Sequence, residues 1–150
     1  MEKGIDLFTI ISSEMNLQLN DIKTYSPLTL AYLGDAVYEV LVRTRVVCGG
    51  NTQVNKLHHK SSELVKAHSQ AEIIKGILDE LSEEEMTYYK RGRNAKSYTS
   101  AKNATIGDYR MATGFEALIG YLYLSGKTDR MIELVKKGIN IIELQKTVVK

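Results

Sequence analysis

The apolar positions of this chain recur at helical spacing in successive segments. The longest segment follows Ser26 and Pro27, the residue types of a helix N-cap and a first helical position, and it ends at Gly49 and Gly50. Between these limits, apolar residues return every three or four positions, which predicts a helix. They are Leu28, Leu30, Leu33, Val37, Val40, Leu41 and Val42.

Further helical stripes follow the glycine pair. Ser82 and Glu85 have the spacing of a capping box and predict the start of one of these helices. No alternating strand pattern, internal repeat or low-complexity linker interrupts the series, so the sequence predicts an all-α fold. The stripes run over residues 54–65, 71–81, 82–89, 109–124 and 131–144.

Length and composition favour one globular domain over residues 1–150, because 43% of the residues are hydrophobic and 25% are charged. The single cysteine, Cys48, excludes an intramolecular disulfide and a thiolate metal cluster, which suits a reducing cytoplasm. No leader or bilayer-length apolar run is visible, so a cytoplasmic location without membrane contact is expected. A net charge of +2 decides nothing by itself.

Two acids lie inside apolar helical runs: Asp35 within Leu33–Val37 and Glu116 within Phe115–Gly120. Burying an unpaired carboxylate costs several kcal/mol, so each acid is expected to meet a cation or a donor. Small residues one turn to either side of Glu116, Ala112 and Gly120, are expected to leave room for a ligand. The two acids together could hold a divalent metal ion.

A structural alternative exists for the first acid. Asp35 and Glu39 share one side of the helix, and Glu39 can pair with Arg43 one turn later in an ordinary surface stripe. If the acids do bind a metal, Mg²⁺, with Mn²⁺ as a substitute, is the expected ion, because both prefer hard oxygen ligands and accept waters and phosphate oxygens. Such an ion activates water against a phosphodiester, which indicates a hydrolase.

A basic segment supplies the indication of substrate. Between residue 90 and residue 103 the chain is rich in Lys, Arg, Asn and hydroxyl residues, and it is predicted to form a glycine-containing loop. Cations and amides of this kind contact a nucleic-acid backbone, although a solvated basic loop is the alternative. The candidate RNA-binding residues are Lys90, Arg91, Arg93, Asn94, Lys96, Lys102 and Asn103.

The motifs resemble those of a known family. Leu33–Val37 resembles the centre of the ribonuclease III signature helix, and Phe115–Gly120 resembles the second acidic helix of that family. The stretches 91–96 and 101–103 look most like the Mini-ribonuclease III branch, which lacks a double-stranded RNA-binding domain. The resemblance covers essentially the whole chain.

The resemblance implies that Asp35 and Glu116 are the catalytic metal ligands of an endoribonuclease. It implies Mg²⁺-dependent cleavage of double-stranded RNA to give 5′-phosphate products, by an all-helical homodimer with one site per subunit. It further implies maturation of the large-subunit (23S) ribosomal RNA precursor. Without an added RNA-binding domain, selectivity is expected to come from RNA shape or from a partner, such as a ribosomal protein, that presents the substrate.

The chain departs from the full ribonuclease III pattern at Leu28, Ala31 and Thr113, where that family has further acids. Waters are expected to replace these ligands, and Glu39 is a candidate for an outer-shell hydrogen bond. A catalytically silent, ribosome-associated RNA-binding module is therefore the main alternative. A helical DNA-binding regulator fits less well, because the basic residues are predicted to lie mainly in a loop.

Overall fold

Helices make up all the regular structure that the computed structural model describes, which is residues 6–96 and 105–149. The predicted all-α class is confirmed. Two short 3₁₀ turns, Ile22–Thr24 and Leu78–Glu80, join longer elements. The helices are α1 Leu7–Glu14, α2 Pro27–Cys48, α3 Val54–Val65, α4 Ala67–Ile77, α5 Glu83–Asn94, α6 Ile106–Leu124 and α7 Thr128–Val149.

The predicted helix starts are formed as the local sequence requires. Ser26 accepts a hydrogen bond from the backbone N–H of Thr29, with Pro27 in the first helical position of α2. At α5 both halves of the capping box are present: the Ser82 side chain accepts from the Glu85 backbone, and the Glu85 side chain accepts from the Ser82 backbone. These caps fix where α2 and α5 enter the bundle.

Helix α6 is the centre of the bundle and packs mainly against α2, α5 and α4. Ten of its residues are buried, so it is apolar on nearly all sides, as expected of a central helix. Helix α7 closes the bundle against α4. The largest fully buried side chains are Tyr38, Tyr89, Tyr121, Phe115, Leu30, Ile73, Ile74, Ile77, Leu118, Ile119, Leu122 and Leu134.

Glycines allow α6 to approach its neighbours at backbone distance. A Cβ added to Gly34 of α2 would lie 1.7 Å from the carbonyl oxygen of Glu116, and one added to Gly120 would lie 2.1 Å from the carbonyl oxygen of Leu30. On the other side of α6, a Cβ at Gly92 of α5 would lie 2.9 Å from the Cα of Gly114. Only glycine fits these crossings, which bring both α2 and α5 close to Glu116.

Two features differ from the sequence prediction. Helix α1 was not predicted; it is capped by Asp6, buries no residue, and contacts the bundle through Phe8, whose ring centroid is 5.7 Å from that of Tyr123. Such a short, exposed helix has too few core positions to produce a periodic signal. The basic residues from Lys90 to Asn94 belong to the last turns of α5, which corrects the predicted loop, because Gly92 packs on α6 and holds the helix there.

The described helices include none whose length and apolar character would let it cross a membrane.

Candidate active site

The two acids predicted from the sequence meet at the crossing of α2 and α6. Asp35 follows Gly34, whose backbone contacts the carbonyl group of Glu116, so the crossing sets the two acids side by side. Asp35 acts on the Glu116 carboxyl group through its charge and through side-chain hydrogen bonding, and both raise the pKa of Glu116. Asp35 is on the exposed side of this pair, and Glu116 is half-buried. The fold therefore assembles one carboxylate pair from residues far apart in the chain.

The environment of Glu116 opposes its ionisation. Burial raises the pKa of its carboxyl group, and the hydrogen bond and negative charge of Asp35 raise it further, to about 9. Two carboxylates in a partly dry site repel each other, so without a cation one of them holds a proton near neutral pH. A divalent ion between them would remove that repulsion.

A third polar side chain affects Glu116, and it was not predicted from the sequence. Gln70 in the first turn of α4 is 3% exposed, and its Nε2 donates to the carbonyl oxygen of Val65 at 2.9 Å. The Gln70 amide lowers the pKa of the Glu116 carboxyl group and so partly offsets its rise. The available signal was one amide beside the apolar positions Ala71 and Ile73, where a polar residue needs a buried partner.

The donor set at this crossing fits a hard divalent cation. It consists of the carboxyl groups of Asp35 and Glu116. The Oε1 of the buried Gln70 amide has no hydrogen-bond partner in the part of the chain that the structure describes. Mg²⁺ accepts few protein oxygens and completes its octahedron with waters and phosphate oxygens. Over residues 6–96 and 105–149, no three His, Cys, Asp or Glu side chains gather in a metal-binding cluster. His68 instead contacts Asp108, with Nδ1 and Oδ2 2.9 Å apart.

Gly120 and Glu39, two residues near the carboxylate pair, were both assigned roles from the sequence. The small residue Gly120 does not leave room for a ligand as expected, because the backbone of Leu30 fills that space at the crossing of α2 and α6. Glu39 accepts a hydrogen bond from Arg43 Nε at 2.8 Å in an i, i+4 ion pair, the arrangement of the structural alternative. An outer-shell role for Glu39 stays a prediction.

The basic end of α5 packs on α6 at the level of Glu116, since Gly92 contacts Gly114 and Ala117, which precede and follow Glu116 in the sequence. Within this segment Lys90, Asn94 and Lys96 are exposed. Exposed cations and amides of this kind are the groups that contact a nucleic-acid backbone.

The two arginines of the segment are partly buried and already have partners. Arg91 donates to the carbonyl oxygen of Tyr25 at 3.3 Å and lies over the ring of Tyr88, while Arg93 lies over the ring of Tyr89. Both side chains stay on the surface of α5 at fixed positions. Two other predicted RNA-binding residues, Lys102 and Asn103, lie outside the described residues.

Comparison with known proteins identifies the class to which this fold and site belong. Residues 28–127, which include both acids and the basic segment up to Asn103, match the family model described as the ribonuclease III domain. The match covers two thirds of the chain's length and defines the class of the protein.

Individual relatives narrow the assignment. The chain is 54% identical over 124 residues to the Mini-ribonuclease 3 of Clostridium tetani, covering 82% of each chain, and 48% identical over 122 residues to that of a Thermoanaerobacter species, covering 81% of this chain and 86% of the relative. A crystal structure of a Fusobacterium nucleatum protein matches with 34% identity and a TM-score of 0.71 over 85% of this chain and 99% of that one.

The chain therefore belongs to the Mini-ribonuclease 3 family of ribonuclease III enzymes and is an endoribonuclease. This membership favours the enzyme over the silent RNA-binding module and the DNA-binding regulator.

Proposed function

We propose that the protein is a Mg²⁺-dependent endoribonuclease that cleaves double-stranded RNA, with Asp35 and Glu116 as its catalytic metal ligands. The observation that carries this proposal is the meeting of the two carboxyl groups at the crossing of α2 and α6. A fold gains no stability from placing two acids together in a half-buried position. A cation that uses both of them accounts for the arrangement, and Mn²⁺ would be a suitable substitute.

The residues of this chain prepare the site in three ways. The carboxylates of Asp35 and Glu116 supply negatively charged oxygens at the same crossing, and the close contact between α2 and α6 keeps the two residues in fixed positions. Burial of Glu116 limits access of water and strengthens the electrostatic attraction of the pair for a cation. When bound, Mg²⁺ supplies Lewis-acid stabilisation of a phosphodiester and an acidified water, which is the chemistry that gives a 5′-phosphate product.

The position of the basic segment supports an RNA substrate. The exposed side chains of Lys90 and Lys96 lie on the helix that packs against the Glu116 region of α6. Cations so placed neutralise backbone phosphates and read helix shape, not base sequence. Arg91 and Arg93, fixed over tyrosine rings, would present their remaining N–H groups to the same backbone. Asn94 would add an amide donor.

The biological substrate proposed here is the large-subunit (23S) ribosomal RNA precursor, with a ribosomal protein presenting the cleavage site. The support is membership in the Mini-ribonuclease 3 family together with the basic segment on α5, whose exposed cations recognise an RNA backbone and not a base sequence. A cytoplasmic location would follow from this substrate.

The protein is further proposed to act as a homodimer. Helix α2 carries a row of exposed apolar side chains at intervals of about two turns or less, including Leu28, Tyr32, Val40 and Val47. Tyr32 is 81% exposed, which is unusual for a large aromatic side chain in a folded protein. A second copy of α2 would cover this row and place two sites on one duplex, one for each strand.

The test is cleavage of a plain RNA duplex by wild type, Asp35→Asn and Glu116→Gln, with Mg²⁺ and then with EDTA. We expect Mg²⁺-dependent cutting by the wild type and a loss of about 10³-fold or more in each variant, because each removes a charge from the group that stabilises the transition state. Asp79→Asn, an exposed acid in the 3₁₀ turn Leu78–Glu80, is the matched control and should cut normally. Cutting that persists in both site variants would refute the proposal.

A further inference from the structure

Arg110 on α6 differs from the other arginines of this protein in having no partner. All six arginines of the chain lie in the described residues. Among those residues Arg110 makes no hydrogen bond, ion pair or ring contact, and it is exposed. The other five are engaged: Arg43 with Glu39, Arg45 with Glu143, Arg91 with the carbonyl oxygen of Tyr25, Arg93 with Asn94 and Arg130 with Glu85.

The sequence around Arg110 explains why it has no ion pair on its own helix. A helical side chain can pair with residues three or four positions away. For Arg110 these positions hold only uncharged residues, which are Ile106, Gly107, Thr113 and Gly114. Asp108 is two positions away and contacts His68 of α4. Arg110 is also near the N-terminus of α6, where the helix dipole does not stabilise a cation. The guanidinium therefore contributes little to the stability of the fold.

Arg110 lies on the side of α6 that faces α5. Residues 110, 114 and 117 have the spacing of one helix face. Gly92 of α5 contacts this face at Gly114 and Ala117. Arg110 comes one helical turn before that contact, so its side chain continues the α5-facing row toward the N-terminus of α6.

The direction of the two helices sets what lies beside Arg110. Tyr88, earlier in α5 than the glycine contact, stacks on Tyr121, later in α6, with ring centroids 3.9 Å apart. The helices are therefore antiparallel, and Arg110 is level with the end of α5. Asn94 and Lys96 are exposed there. Arg110 thus extends the basic end of α5 onto the helix that carries one of the two acids.

The chemistry of an unpaired arginine suits a phosphate. A guanidinium without protein partners has all of its N–H groups available, and its planar fork matches two oxygens of one phosphate group. Glu116 follows Arg110 by six residues, about 9 Å along the helix axis. One short stretch of nucleic-acid backbone can therefore contact the region of both residues.

We propose that Arg110 binds a backbone phosphate of the double-stranded RNA next to the cleavage site. This inference rests on the proposed function, because it takes the same RNA as the ligand. It adds to the basic segment of α5 a contact from α6, and it connects that segment with the carboxylate pair.

The experiment measures binding of a short RNA duplex to the full-length protein by fluorescence anisotropy, in EDTA and at several salt concentrations. Arg110→Gln removes the charge and the fork, so we expect the affinity to fall about tenfold. The slope of log affinity against log salt concentration should become shallower by about 1, the change for one lost phosphate contact. Arg110→Lys should keep the wild-type slope and bind more weakly than the wild type, because lysine cannot form two parallel hydrogen bonds.

Lys136→Gln is the matched control. Lys136 is an exposed cation on α7, which packs against α4, and the variant loses the same charge as Arg110→Gln. It should bind the duplex within about twofold of wild type and with the same salt slope. Urea denaturation should show that all three variants are as stable as the wild type, since exposed cations without a partner contribute little to folding.

The outcomes separate this inference from the proposed function. Arg110→Gln with the affinity and salt slope of the wild type would overturn the inference. Equal weakening by Lys136→Gln would also overturn it, because net charge would then explain the loss. If Arg110→Gln binds weakly while Asp35→Asn and Glu116→Gln still cut the duplex in Mg²⁺, the metal site is wrong and the phosphate contact stands. A wild type that neither binds nor cuts duplex RNA would overturn both.

Discussion

Glu116 is held in the folded protein against its own ionisation. Its carboxyl group is half-buried and shares its position with that of Asp35, and both effects favour the protonated form. Residues placed at such a cost in free energy usually serve binding or catalysis, since a neutral side chain of the same shape would stabilise the fold better. The free-energy cost of placing Glu116 beside Asp35 therefore indicates a catalytic site, as does the similarity to ribonuclease relatives.

This cost predicts a dependence of stability on pH. The pKa of Glu116 is about 9 in the folded protein, above its usual value of 4.5. The stability that protonated Glu116 contributes is therefore fully present below pH 4.5, the pKa in the unfolded chain, and is lost as the pH rises toward 9, the pKa in the folded protein. In EDTA at about pH 8, Glu116→Gln should be more stable than the wild type, because the neutral amide has no proton to lose. Its free energy of unfolding should be higher by at least about 1.4 kcal/mol, the equivalent of one pKa unit. Near pH 5 the difference should be much smaller. Urea denaturation at both pH values measures it.

Asp79→Asn is the control for the loss of one negative charge, because Asp79 is exposed and outside the site. Its effect should be small and similar at both pH values. A constant difference between Glu116→Gln and wild type across this range would mean that Glu116 is not forced to share a proton, and the electrostatic description of the pair would be wrong.

At the scale of the helices, the site depends on backbone contacts more than on side-chain packing. The Cα of Gly34 lies against the carbonyl group of Glu116, so the position of one acid is set directly by the residue before the other. Protein interiors are close-packed and relax only partly when atoms are added, and backbone atoms move least of all. A small change at this crossing must therefore displace the acids relative to each other.

Gly34→Ala tests this coupling. The added Cβ would overlap the Glu116 carbonyl at 1.7 Å, so α2 and α6 must separate, and we expect a loss of about 3 kcal/mol in unfolding free energy together with a large loss of RNA cleavage. Gly107→Ala is the matched control in the first turns of α6, where the nearest atom to an added Cβ is 3.9 Å away. That change should be neutral or stabilising, because alanine favours helix over glycine. Urea denaturation and a duplex cleavage assay measure both effects.

If Gly34→Ala cut RNA normally while losing stability, the crossing would be needed for folding but not for the geometry of the acids. If both glycine variants lost stability equally, the loss in Gly34→Ala could not be assigned to the close contact with Glu116.

The elements and the acids could be predicted because their signals are local. The cap at Ser26, the capping box at Ser82 and the apolar periodicity of α2 and α6 each depend on residues within a few positions, and all were confirmed. The end of α5 could not be predicted this way: Lys90–Asn94 has weak helical character, and its helix is held by the contact of Gly92 with α6. Gln70 was missed for the same reason, since Glu116, the residue whose pKa it lowers, is distant in sequence.

At the scale of the whole molecule, the described surface includes a basic face at the end of α5 and an apolar face along α2. The basic end of α5 lies on one side of α6, and the exposed apolar row of α2 belongs to the helix packed on another. Exposed apolar residues in a row on one helix mark an interaction surface more often than scattered ones do. Since α2 also carries Asp35, a partner on this row would bring a second site close to the first.

The proposed homodimer predicts a specific dependence on this row. The double variant Tyr32→Glu/Val40→Glu adds two negative charges to the exposed apolar row of α2 in each subunit. Burying unpaired charges in a subunit contact costs several kcal/mol. We therefore expect this variant to sediment as a monomer and the wild type to sediment as a dimer. Leu144→Glu, at an equally exposed apolar position on α7, should remain dimeric. Analytical ultracentrifugation measures the masses. A wild type with the mass of one chain, or dissociation by Leu144→Glu alone, would show that α2 does not form the subunit contact.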